Sequence, residues 1–237
     1  MRVDALIFDF DGVLLESEWA HNQHLADYLT GIGHPTSVEE AMQHFMGLAG
    51  ADFHAALERR IGGPLPPDFH DAHAAIDAQA LAEGLEEVAG AVAFIGALPP
   101  QLPKAICSSS STHWIVTHLA HLGLEEAFGE MIFSGREHVG RGKPAPDLYL
   151  HAAKALGVAI ERTAIIEDSA VGVQGALASG AEVIGLVAGR HCLPGHAERL
   201  RELGVEKIAA SFEKVAAFLD LPFYHAGEKA GGRGQGR

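Results

Sequence analysis

Ala5-Leu6-Ile7-Phe8-Asp9-Phe10-Asp11-Gly12-Val13 decides the fold: an apolar run of strand type ends in two carboxylates on alternate residues. In open parallel sheets ligands collect beyond the carboxyl ends of the strands, so both acids belong in that crevice. Taken alone, the same run serves equally well as a turn that Asp9 and Asp11 open at Gly12. Further short β-rich apolar runs recur between helical segments, at residues 104–107, 131–133, 163–166, 183–187 and, more weakly, 207–209. Strands alternating with helices predict an α/β fold: a doubly wound, Rossmann-like parallel sheet buried on both faces. Helix ends are readable too. Pro146 suits the first turn of a helix that stops near Gly157, and Ser169 caps one that stops near Gly180.

About a hundred residues separate the first strand from the second, far more than a crossover needs. Most of that span is amphipathic helix, which predicts an inserted α-helical domain at 17–84, with joints at 15–17 and 84–90 and a loop at Pro64-Leu65-Pro66-Pro67. Residues 1–16 and 85–220 then form the α/β core. Residues 221–237 form a tail that ends in four glycines and three cations over 228–237, too polar to order fully.

The 237 residues are 48% hydrophobic, enough for a full core, and carry a formal net charge of −14. That charge repels polyanions and excludes nucleic acid as a partner. Two cysteines cannot frame a disulfide scaffold, and the first strand breaks at Asp9 before it could act as a leader or membrane span. The expectation is a cytoplasmic protein, a monomer or weak homo-oligomer, with no membrane partner.

A second acidic pair, Glu167-Asp168, follows the apolar run 163–166 and precedes Ser169. One acid there is explained by a helix dipole; two strand-end pairs converging in one crevice repel unless a cation joins them, and oxygen ligands suit Mg²⁺. Ser108-Ser109-Ser110-Ser111 follows the second strand, where hydroxyls and free N–H groups can hold phosphate oxygens, although a helix cap alone explains one or two of them. Lys143 stands in the stiff loop Gly142-Lys143-Pro144-Ala145-Pro146-Asp147; by itself it is an ordinary solvated lysine.

In this order and spacing the four segments resemble the haloacid dehalogenase superfamily, specifically members with a helical cap inserted after the first strand. The sugar-phosphate phosphatases and β-phosphoglucomutases are the branches most alike, with 6-phosphogluconate and hexose-phosphate phosphatases nearest. The resemblance implies a Mg²⁺-dependent phosphatase for a small phosphate ester, with Asp9 as nucleophile and Asp11 as general acid/base. It makes Ser108 and Lys143 the phosphate ligands. Asp9, Asp11 through its carbonyl, Glu167 and Asp168 become the metal holders, and Ser109, Ser110, His21 and Gly47 the substrate contacts. Dehalogenases of this superfamily lack the second acid, so Asp11 argues against dehalogenation. The mutases carry cap cations that grip a second phosphate, whereas here no lysine precedes Lys104 and the insert holds only Arg59 and Arg60. Hydrolysis is therefore expected, with mutase chemistry and a phospho-acceptor signalling module as the alternatives.

Overall fold

A computed structural model describes residues 3–46, 48, 50–221 and 223. In chain order its elements are β1 (Ala5–Phe8), α1 (Ser17–Gly31), α2 (Val38–Phe45), α3 (Gly50–Ile61), α4 (Phe69–Glu83), α5 (Ala91–Ala97), β2 (Lys104–Ser108), α6 (Thr112–Leu122), α7 (Glu125–Phe128), β3 (Ile132–Ser134), α8 (Asp147–Leu156), β4 (Thr163–Glu167), α9 (Ala170–Ser179), β5 (Glu182–Leu186), α10 (His196–Glu202), β6 (Lys207–Ala209) and α11 (Phe212–Leu219).

The six strands are parallel in the order β3-β2-β1-β4-β5-β6, so β1 lies between β2 and β4. Alternate residues feed opposite faces, as a period of two requires. Leu6, Phe8, Ile106, Ala164 and Ile166 pack with Phe94 of α5, Ile115 of α6 and Phe212 of α11. Ile7, Ala105, Cys107 and Ile165 pack on the other face, against Leu148 and Tyr149 of α8 and Val173 of α9. With no face left to water, the strands read as unbroken apolar runs rather than alternating ones.

Three strands, β2, β3 and β4, run one residue beyond the apolar stretch that announced them. Ser108 pairs with Ser134 and Glu167 with Gly185, so a polar side chain is held in the ladder at each carboxyl end. Ser169 and Gly180 do cap α9, and Pro146 and Gly157 flank α8.

Helices α1 to α4 enclose a separate apolar cluster of Leu25, Leu29, Phe45, Leu57 and Phe69. Ser37 and Glu40 form a reciprocal capping box on α2, at 3.2 and 2.9 Å. Arg60 ties α3 to the turn between α1 and α2 through Pro35 O and Thr36 Oγ1. The two joints of the insert run side by side: Glu16 N donates to Glu86 O at 2.9 Å, and Val88 N to Leu14 O at 3.0 Å. His121 of α6 contacts Leu81 O of α4 at 3.0 Å, which seats the last helix of the insert on the core. Among the described residues no helix is long and apolar enough to cross a membrane.

Candidate active site

Asp9 and Asp11 follow β1, Ser108 ends β2 and Glu167 ends β4, so the central strands deliver all four to one end of the sheet. Lys143, from the loop before α8, reaches into this group with its Nζ 2.5 Å from both Asp9 Oδ1 and Glu167 Oε1, and its side chain is only 4% exposed. Glu167 has no spare capacity. Its Oε1 also accepts from Tyr149 OH at 2.8 Å, while Oε2 accepts from the backbone N–H of Asp168 and Ser169 and from Ser169 Oγ, at 3.0 to 3.1 Å. Gly172 makes room for this carboxylate: a Cβ there would lie 1.7 Å from Glu167 Oε1.

Asp168 presents a different face. His191 Nε2 lies 2.8 Å from Oδ2, but Oδ1 is buried with no hydrogen-bond partner among the described residues. Carboxylate oxygens of Asp9, Glu167 and Asp168 all lie within 4.8 Å of one another.

Residues 3–180 match the family profile of haloacid dehalogenase-like hydrolases. The chain belongs to this enzyme family. It is 30% identical to hexitol phosphatase A of Escherichia coli (strain K12) over 91% of this chain and 94% of that one. To the 6-phosphogluconate phosphatase of the same organism it is 27% identical, over 81% and 86%. A crystal structure of a hydrolase of this family from Deinococcus radiodurans R1, with bound phosphate and sodium, superposes with a TM-score of 0.80 at 35% identity, covering 92% of this chain and 96% of that one.

The electrostatics of this haloacid dehalogenase-like site favour a dication. Burial first, then the Glu167 charge, pushes the Asp9 carboxyl well above the ordinary aspartate value, and Lys143 only partly offsets them. Burial and Glu167 do the same to Asp168. Burial works against the Lys143 ammonium as well, but Asp9 and Glu167 outweigh it and hold its pKa well above that of free lysine. One permanent cation therefore faces three acids. An all-oxygen donor set, an excess of negative charge and the unpartnered Asp168 Oδ1 together fit a hard divalent cation. Asp9 and Asp168 are the carboxylates with capacity for it, because Glu167 is already saturated by its donors.

Asp11 collects four donors. Ser17 Oγ at 2.8 Å and Trp114 Nε1 at 3.1 Å meet Oδ1; Ser108 Oγ at 3.1 Å and Ser110 Oγ at 2.7 Å meet Oδ2. The serine run is thus divided: Ser108 and Ser110 face Asp11, Ser109 lines the cavity, and Ser111 caps α6 by accepting from Trp114 N. Ser108 was expected on phosphate; here its hydroxyl points at the second acid.

These groups open into a cavity of about 1270 Å³ whose far wall is built by the insert, including Glu18, His21, Glu39, Gln43, Met46 and Asp77. His21 lines the cavity. Its Nε2 is 3.1 Å from His73 Nε2 of α4, and desolvation followed by the neighbouring His73 pushes its pKa down. Arg60 is turned to the 35–36 backbone, Arg59 lines a separate surface depression, and Trp19 lies under the Arg190 guanidinium, 5.2 Å from its ring centre. Gly47 falls outside the described residues.

Several residues at the site carried no sequence signal strong enough to single them out: Tyr149, Trp114, Glu18, His191 and His196. The position of the last two was findable, because they lie just past the carboxyl end of β5, the same rule that picked out Asp9 and Asp168.

Proposed function

We propose that this chain is a Mg²⁺-dependent phosphatase that hydrolyses a small phosphorylated metabolite, a sugar or polyol phosphate, through an aspartyl-phosphate on Asp9. The observation that carries the reading is Lys143, a buried ammonium held between Asp9 and Glu167 at 2.5 Å from each. A carboxylate can approach a phosphate dianion only where positive charge is fixed beside it.

Asp9, Asp168 and the backbone carbonyl of Asp11 would hold Mg²⁺, with Glu167 acting from behind through Lys143. When bound, the ion screens the phosphate oxygens from the surrounding acids. Asp9 attacks phosphorus in line, the bond to the leaving oxygen breaks, and Asp11 gives that oxygen a proton. Asp11 then takes a proton from the water that splits the aspartyl-phosphate, which releases inorganic phosphate and restores Asp9. Ser17, Trp114, Ser108 and Ser110 aim the Asp11 carboxyl, and the N–H and hydroxyl of Ser109, which lines the cavity, receive the phosphate.

Residues 17–84 act as a cap that selects substrate, on a core of 1–16 and 85–220. The cap wall of the cavity offers His21, Gln43, Glu39 and Asp77, and no lysine or arginine among the described residues. Such a wall bonds hydroxyls and repels a distal carboxylate or a second phosphate. This favours a hexitol or hexose phosphate over 6-phosphogluconate, and hydrolysis over return of the phosphoryl group to a sugar. The net charge of −14 and two unpaired thiols fit a protein of the reducing cytoplasm that binds no nucleic acid, as a monomer or weak homo-oligomer.

The test is a rate screen with Mg²⁺ over hexitol phosphates, hexose phosphates, 6-phosphogluconate, and β-glucose 1-phosphate with a trace of the 1,6-bisphosphate. Phosphate release should be fastest from the uncharged-ended esters and stop in excess chelator. Acid-quenched protein should carry its phosphoryl group on Asp9, and Asp9→Asn should carry none. Glucose 6-phosphate forming faster than inorganic phosphate would establish a mutase instead; a stable phosphoprotein without turnover would establish a phospho-acceptor module.

A further inference from the structure

The loop 187–195 after β5 and the first residue of α10 each grip Asp168. His191 Nε2 lies 2.8 Å from its carboxylate Oδ2, and His196 Nε2 lies 2.7 Å from its backbone oxygen. His191 is 2% exposed, and two glycines make space for its ring. A Cβ on Gly189 would lie 2.5 Å from the ring, and one on Gly12 2.9 Å from Cε1. Facing ionised Asp168, Nε2 carries the ring proton and donates it to Oδ2; the same nitrogen also lies 3.3 Å from Cys192 Sγ, and His191 Nδ1 is left buried without a partner among the described residues. The bond occupies Oδ2 and leaves Oδ1 as the open oxygen of Asp168.

The same loop holds the joints of the insert. Arg190 N donates to both carboxylate oxygens of Glu16 at 3.1 Å, its guanidinium pairs with Glu86, and it stacks over Trp19. Glu16 and Glu86 belong to the two antiparallel joints, so adjacent residues of one loop touch the hinge and the acid.

We infer that His191 is a positioning residue that fixes the Asp168 carboxylate with Oδ1 turned to the cation, from a loop that Arg190 anchors to both joints of the cap. The inference rests on the reading of Asp168 as a metal-holding acid. His191, Cys192 and His196 also offer ligand atoms within 4.8 Å of one another. A second cation there is disfavoured, because His196 spends Nε2 on Asp168 O and Nδ1 on Arg199, at 3.2 Å.

The experiment measures Mg²⁺ binding calorimetrically on the full chain without substrate, for wild type, His191→Leu, His191→Gln, His191→Asn and Asp168→Asn. Partners that orient a metal ligand are worth about 10–100-fold in affinity, so His191→Leu should weaken Mg²⁺ binding by that factor. Saturating Mg²⁺ should restore most of kcat to the variant. Gln sets an N–H near the Nε2 position and should retain affinity, while Asn, which is too short, should not; that pair decides the matter if the leucine variant does not fold. Wild-type Mg²⁺ affinity in both His191→Leu and His191→Asn, with Asp168→Asn weakened, would overturn the inference alone. Unchanged affinity in Asp168→Asn would overturn the reading beneath it. Cobalt titration giving a thiolate charge-transfer band that Cys192→Ser removes would show a second cation site and make His191 its ligand.

Discussion

Lys143 and the acids around it set the residue-scale behaviour of the site. In the folded chain Asp9 and Asp168 keep their protons to higher pH than they would unfolded, because burial and Glu167 disfavour their charge. Their contribution to stability is therefore complete below the ordinary aspartate value and is lost as pH rises through the raised folded values. A dication binds only the ionised forms and removes the repulsion that destabilises them. The rise in Tm on adding Mg²⁺ should accordingly be larger at about pH 8 than at about pH 5, measured by thermal melting at matched ionic strength. Equal increments would mean that protons do not compete with the ion at these carboxylates. Asp9, Asp11, Lys143 and Asp168 were legible in sequence because strand ends and a proline-stiffened loop fix where they point. The contacts of Trp114 with Asp11 and of His191 with Asp168 were not, since they join segments whose approach only the folded chain reveals.

At the scale of elements, the start of α9 shows packing overriding propensity. Gly172 is the third residue of that helix, where alanine would ordinarily gain about 1 kcal/mol. A Cβ there would overlap Glu167 Oε1, and the carboxylate cannot retreat because five donors hold it. Gly172→Ala should therefore destabilise the chain by about 1–3 kcal/mol in chemical denaturation, and it should cut activity by displacing Lys143. A variant at least as stable as wild type would show that Glu167 is free to move. Helix α1 makes the opposite concession. Ser17 opens the helix but sends its hydroxyl to Asp11, and Glu16 makes no side-chain cap because its carboxylate accepts from Arg190 N. Strand positions and the ends of α8 and α9 were readable from apolar runs, Pro, Ser and Gly. The extension of β2 and β4 onto Ser108 and Glu167 was not, because polar residues give no apolar signal even inside a ladder.

Across the whole molecule, the sheet is assembled around a strand whose partners come late. β1 lies between β2 and β4, and Leu6 of β1 pairs with Lys104 of β2 across about a hundred residues. The insert shortens that distance. Once α1 to α4 have closed on their own cluster and Leu15 has met Glu87, the two joints are already side by side. The loop left to close is then about a quarter as long, which lowers the closure cost by about 1 kcal/mol. Pulse-labelling hydrogen exchange during refolding should show amides of α1 and α4 protected before those of β1 and β2; the reverse order would mean that the sheet forms without this help. On a ribosome the consequence is sharper. The strand that leads to Asp9 emerges well ahead of both its neighbours, with nothing to pair with until β2 and then β4 have been made, so Asp9 is synthesised long before the partners that lock it in place.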